Sequence, residues 1–186
     1  MYKKINDMAY TDFIAAIDLG TSRIVGMVGK KNEHGVLSII AYEVENSGNC
    51  IRRGCVYNVE ETANKIKRLV RKLENKLHEA KIEKVYVGVG GQSLRSINHT
   101  VPRVLGTEGV VTDEIISSLH AECLNFHPDM LDVLAAVATV YYLDNKPEAN
   151  PVGIPCTRIE AKYKLIVGRP SLKRHIINSI AERAQI

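Results

Sequence analysis

No stretch of this 186-residue chain approaches the roughly 18 consecutive apolar residues that a bilayer-spanning helix needs. The N-terminus, Met1-Tyr-Lys-Lys-Ile-Asn-Asp7, has positive charge but lacks the apolar stretch of a secretory signal. Both absences make a cytoplasmic protein the expectation. Paired cysteines are missing too: Cys50, Cys55, Cys123 and Cys156 form no C-x-x-C motif. Arg52 and Arg53 stand between Cys50 and Cys55, which suits a metal poorly. Ordinary reduced thiols are expected. A strong charge of one sign is also lacking. The net charge of +4 is too mild to mark a nucleic-acid footprint by itself.

What is present is the composition of a globular protein, long enough for one ordinary domain or two small ones. The most informative stretch is Ile14-Ala-Ala-Ile-Asp18-Leu-Gly20-Thr21-Ser22-Arg23-Ile-Val-Gly-Met-Val-Gly29. An apolar run ends in an acid, passes through Gly-Thr-Ser and resumes as a second apolar run, the pattern of a β-hairpin. Its tip suits a nucleotide's phosphates. Gly20 lets the backbone approach an anion, and the amides and hydroxyls of Thr21 and Ser22 can donate to phosphate oxygens. Asp18 can hold a hydrated Mg²⁺, an ion that keeps several waters and takes only one or two carboxylates. The bland alternative is a tight turn in which Asp and Gly are ordinary choices.

Further along, Val36–Tyr42 reads as a third strand completing a meander, and residues 43–57 read as irregular. Asn58 is placed to cap a helix with Glu60 and Glu61 in its first turn. Ala63, Ile66, Leu69, Val70, Leu73, Leu77 and Ala80 then recur on one face, with Lys65, Lys67, Arg68, Arg71, Lys72 and Lys76 opposite. Glu74, Asn75, His78 and Glu79 interrupt that basic face, so a solvated surface is expected there rather than a lipid or nucleic-acid site. Lys84–Gly91 reads as a strand ending in a bulge. Its glycines lack G-x-G-x-x-G spacing and no Lys-Ser/Thr follows, which argues against a phosphate loop. Thr112 caps a second helix with Ile116, Leu119 and Cys123 on one side. Val133–Leu143 is a long strand, and Asn145–Pro155 a loop with three prolines. Thr157–Val167 alternates cleanly, with Ile159, Ala161, Tyr163, Leu165 and Val167 on one face and Arg158, Glu160, Lys162 and Lys164 on the other. Pro170 and Ser171 open a last helix with Leu172, Ile176, Ile177, Ile180 and Ala184 at helical spacing.

In this order the features resemble the N-terminal part of the FtsA family of actin-like bacterial cell-division proteins, across residues 13 to 184. Asp18-Leu-Gly-Thr-Ser-Arg-Ile resembles the first phosphate loop, which the wider actin, Hsp70 and sugar-kinase superfamily shares. Val85-Tyr-Val-Gly-Val-Gly-Gly resembles the strand that opens the FtsA-specific insertion. Asn150-Pro-Val-Gly-Ile and the strand after it resemble the stretch that returns to the core. The resemblance implies an α/β fold of mixed α+β character: an incomplete RNase H-like actin-type ATPase subdomain with an inserted strand-helix-strand-strand subdomain. Residues 1–83 would be the first part of the nucleotide-binding subdomain, 84–161 the insertion, and 162–186 the returning strand and helix.

It further implies ATP and Mg²⁺ as ligands, with Asp18 near the metal's water shell. Gly20, Thr21 and Ser22 would contact the β- and γ-phosphates, and Arg23 would lend positive charge. The function implied is a scaffold, not an enzyme, that polymerises and links FtsZ to the inner face of the cytoplasmic membrane at the division site. Later division proteins would meet residues 84–161, with no nucleic acid among the partners. The family's second phosphate loop (Asp-x-Gly-Gly), adenosine loop, FtsZ-binding lobe and membrane-reaching C-terminal helix do not occur in these residues. These residues are therefore expected to bind ATP weakly or not at all. The alternatives are a scaffold like the type IV pilus assembly protein PilM, or a sugar or acetate kinase. The Asn150-Pro-x-Gly stretch favours FtsA over the first, and nothing is placed as the catalytic acid a kinase needs.

Overall fold

The computed structural model describes residues 13–78, 80–107 and 109–186. The segment read above for a secretory signal lies outside the described residues. The chain divides into two compact units, one of residues 13–92 with 171–186 and one of residues 93–170.

In the first unit, β1 (Phe13–Leu19), β2 (Arg23–Lys31) and β3 (Leu37–Asn46) form the expected antiparallel meander. The third strand runs longer than Tyr42 and bulges opposite Val28 and Gly29. The segment read as irregular contains a small hairpin of β4 (Ile51–Arg52) and β5 (Cys55–Val56). Helix α1 (Val59–Lys76) follows, its N-terminus capped by Asn58, whose side chain accepts from the Glu61 amide at 3.0 Å. It ends earlier than the apolar spacing suggested: Leu77 is the C-cap and His78 turns left-handed at φ 54°.

Ala63, Ile66, Leu69, Val70 and Leu73 of α1 are buried against Ile17, Ile24 and Val28 of the sheet. Gly26 makes this approach possible, because a Cβ there would stand 2.8 Å from the Leu73 side chain. The basic face of α1 is partly neutralised by the sheet it covers. Lys72 pairs with Glu45 and Lys76 with Glu43, each at 2.6 Å, and Arg68 meets Glu45 at 3.5 Å. Strand β6 (Val85–Val87) adds to β1 in parallel, giving the order β3-β2-β1-β6. The ladder stops at Val87 without the expected bulge. Gly91 instead takes φ 139°, and a side chain there would meet Cys55 and Leu172.

The second unit holds β7 (Arg95–Val104), α2 (Asp113–Leu124), β8 (Asp132–Leu143), β9 (Lys146–Glu148) and β10 (Arg158–Gly168). The sheet order is β7-β10-β8-β9. The short β9 forms a hairpin inside what read as a proline-bearing loop. Ile159, Ala161, Tyr163, Leu165 and Val167 are buried on the α2 side of β10, as their alternation predicted. Leu119 and Cys123 of α2 pack onto them. Thr112 caps α2 by accepting from the Ile115 amide at 3.4 Å.

The last helix, Pro170–Ile177, runs on as a π-helical segment over Asn178–Ala184 and packs against α1. Ile176, Ile180 and Ala184 join the first unit's core, whereas Ile177, expected on the same face, is 44% exposed. The units meet the chain at 92/93 and 170/171, not at 83/84 and 161/162. Pairing is the reason. β6 is hydrogen-bonded to β1, and β10 is an interior strand flanked by β7 and β8. A strand with neighbours on both edges cannot also return to the other sheet.

Candidate functional site: the hairpin tip at Gly20–Ser22

The tip between β1 and β2 is tight: Leu19 faces Ile24, and the Gly20 amide donates to the Arg23 carbonyl at 3.0 Å. A Cβ on Gly20 would stand 2.7 Å from that same carbonyl oxygen, so the turn closes only on glycine. Thr21, Ser22 and Arg23 are exposed.

The polarity of the tip is set by what engages its carbonyls. Arg23's carbonyl is taken by Gly20. The buried Ser47 hydroxyl donates to the Gly20 carbonyl at 2.6 Å, and the Ser47 amide donates to that of Ser22 at 3.2 Å. The carbonyls of Gly20, Ser22 and Arg23 therefore face protein donors. Neither the amides of Thr21 and Ser22 nor the Ser22 hydroxyl finds an acceptor among the described residues. The Thr21 hydroxyl accepts from the Gly54 amide at 3.2 Å, which leaves its own proton free. A turn with three of its carbonyls engaged and these donors free suits an anion.

Asp18 lies one strand residue before this tip, exposed on the face of the sheet turned away from α1. Val25 sits opposite it, and Arg23, two residues earlier on β2, shares that face. A cavity of about 330 Å³ lies on this face, lined by Ala16, Asp18, Val25, Met27, Tyr86 and Gly88. A Cβ on Gly88 would stand 3.7 Å from the Asp18 carboxylate, so glycine keeps that side open. Asp18 has no ion-pair partner among the described residues. Those residues contain no cluster of three or more metal-ligating side chains. One unpaired, exposed carboxylate fits an ion held through its waters, as Mg²⁺ is, and does not fit a fully protein-ligated metal. All five residues singled out in the sequence (Asp18, Gly20, Thr21, Ser22 and Arg23) thus lie at one end of the first sheet.

Sequence reasoning missed the residues that shape the tip from outside. Ser47, Arg53 and Gly54 come from the stretch read as irregular. The turn dipeptide Arg53-Gly54 was the available signal, but nothing local says that its Gly54 meets Thr21, 33 positions away in sequence.

Fold and site together define an α/β protein whose first sheet presents an anion-facing hairpin beside an open carboxylate. The resemblance read from the motifs holds: the sequence relatives are FtsA proteins. The chain is 40% identical over 171 residues to the cell division protein FtsA of Porphyromonas gingivalis, covering 91% of this chain and 36% of the relative. It is 27% identical to FtsA of Pseudomonas aeruginosa, over 82% of this chain and 36% of that protein. With FtsA of Escherichia coli the identity is 22%, over 90% of this chain and 40% of the relative. The chain thus spans less than half the length of these relatives. No family model matches it. Among solved structures, EutJ, the ethanolamine utilization protein from Carboxydothermus hydrogenoformans, is 15% identical with a TM-score of 0.35. That match covers 76% of this chain and 53% of EutJ. A diol dehydratase-reactivating factor is 16% identical with a TM-score of 0.34, over 70% of this chain and 19% of its own. Both likenesses are too loose to place the fold.

Proposed function

We propose that this chain works in cell division as part of an actin-like, ATP-binding adaptor, and that the Gly20–Ser22 tip is its first phosphate loop. The observation that carries the reading is the polarity of the tip: the carbonyls of Gly20, Ser22 and Arg23 accept protein donors, while the Thr21 and Ser22 amides and the Ser22 hydroxyl have no acceptor among the described residues. The 40% identity to FtsA supports the cell-division role. In this reading the Thr21 and Ser22 donors take the β- and γ-phosphates, and Gly20 keeps the backbone close. Asp18 holds a water of the Mg²⁺, and Arg23 adds positive charge. Bound Mg²⁺ supplies charge neutralisation of the phosphates. The nucleotide sets conformation and is not turned over as an enzyme's substrate.

The wider role is that of a scaffold which self-associates into polymers and links FtsZ to the cytoplasmic face of the membrane at the division site. The unit of residues 93–170, counterpart of the FtsA-type insertion, meets later division proteins. Titrating Mg-ATP into the ¹⁵N-labelled chain tests the core of this reading. The amides of Thr21 and Ser22 shift first, with affinity in the millimolar range because one loop supplies the donors. Shifts confined to other residues, or none at all, overturn it.

A further inference from the structure

Arg53 stands where a short residue would ordinarily stand. It and Gly54 form the two-residue turn between β4 and β5, with φ of 50° and 75°. Such a double left-handed turn ordinarily takes Asn-Gly, and a long side chain at its first position is strained. The strain comes with a particular placement. The next residue's amide, that of Gly54, is the donor bound to the Thr21 hydroxyl at 3.2 Å. On its other side, Arg53 reaches the Gln92 side chain, with Nη1 3.3 Å from Oε1. Gln92 closes the glycine stretch that begins at Gly88, beside Asp18. An exposed guanidinium is thus held at the end of that glycine stretch, on the residue next to the one whose amide binds the tip, with no carboxylate partner among the described residues. Its neighbour Arg52 differs, lying over the Tyr57 ring at 3.9 Å.

We infer that Arg53 is a further phosphate-binding residue of the tip, its left-handed backbone retained because it carries the guanidinium to the anion that Thr21 and Ser22 receive. A planar fork of donors matches phosphate oxygens and is exchanged readily from a long, neutral contact such as that to Gln92. The inference rests on the phosphate-loop reading of the tip, and its test separates the two.

The probe is Mg-ATP, titrated below saturation into the ¹⁵N-labelled 186-residue chain, reading the initial slope of the Thr21 and Ser22 amide shifts. Arg53→Gly cuts that slope about tenfold, the loss of a charge-assisted contact. Its melting temperature does not fall, because glycine takes φ 50° without penalty. Arg53→Gln, which keeps the strain and drops only the charge, shows the same fall, and Arg53→Lys retains part of the slope. If Arg53→Gly and Arg53→Gln keep the full slope of the Thr21 and Ser22 amides, the inference on Arg53 is overturned and the phosphate loop stands. If the Thr21 and Ser22 amides of the unaltered chain do not shift, the loop reading fails and takes Arg53 with it.

Discussion

In the second unit, the face of β10 turned away from α2 carries Arg158, Glu160, Lys162 and Lys164. In the first unit, the face of the sheet turned away from α1 carries Val25, Met27, Tyr42 and Val44, with Tyr86 on β6 68% exposed. Each sheet has four strands, yet β10 of the second alternates apolar with charged residues where β1 and β2 of the first do not. The difference is already written in the runs Ile14–Ile17 and Ile24–Val28, which are continuous where β10 alternates. Continuous runs belong to strands with apolar residues on both faces, and alternation to strands with one wet face. The polar features of the first unit are therefore concentrated elsewhere. They sit at the strand ends, where Asp18 and the tip lie, and at the rim, where β3 carboxylates meet the lysines of α1.

The sharpest way to break this comparison is to empty each core separately. Leu69 and Leu165 are both fully buried, and Leu→Ala at either costs about 2–5 kcal/mol. Hydrogen exchange on the whole chain is expected to show lost protection beginning within the unit that carries the substitution. A uniform loss across both units would mean that the two cores act as one.

A smaller effect of opposite sign is expected at Tyr163. Its hydroxyl is buried with no hydrogen-bond partner of good geometry among the described residues, and burial, with Tyr141 beside it, pushes its phenol well above the usual range. Tyr163→Phe removes an unsatisfied group and keeps the ring, so thermal unfolding shows stability unchanged or raised by up to about 1 kcal/mol. A loss beyond that would mean the hydroxyl has a partner in solution.

The smallest expected effect concerns acid. Hydrogen bonds to Lys76 and Lys72 hold the Glu43 and Glu45 carboxyls below their ordinary range, as the Thr157 amide does for Asp144 in the second unit. Because the folded-state values lie below the unfolded ones, this stabilisation is present above the ordinary carboxylate range. It is lost as pH falls through the depressed folded-state values. Urea midpoints followed down the acid side check the sign. Added salt is expected to shrink the first unit's share, which rests on exposed ion pairs, more than that of Asp144, which rests on hydrogen bonds to Thr157 and Arg158. An equal salt response in the two units would remove that distinction.

Much of the local structure was legible because it obeys short-range rules. Asn58 and Thr112 cap their helices, β10 buries its alternate residues, and the hairpin closes on Gly20. Misreadings fell where partners lie far apart in sequence. The Lys84–Gly91 strand stops at Val87, the stretch before Asn58 hides the β4–β5 hairpin, and Ile177 faces outward despite its spacing. The division of the chain moved for the same reason, since pairing to β1 or to β8 leaves no local mark on β6 or β10.

By itself the sequence determined the tip: Asp18, Gly20, Thr21 and Ser22 lie within five consecutive residues, and a tight turn between two apolar runs needs no distant partner to form. Only the tertiary structure decided which way that tip presents its dipoles. Ser47 and Gly54 come from later turns to occupy the Gly20 and Ser22 carbonyls and the Thr21 hydroxyl. A hydrogen bond made across tens of residues is fixed by the packing of β3, β4 and β5 beside the tip. No local propensity encodes it.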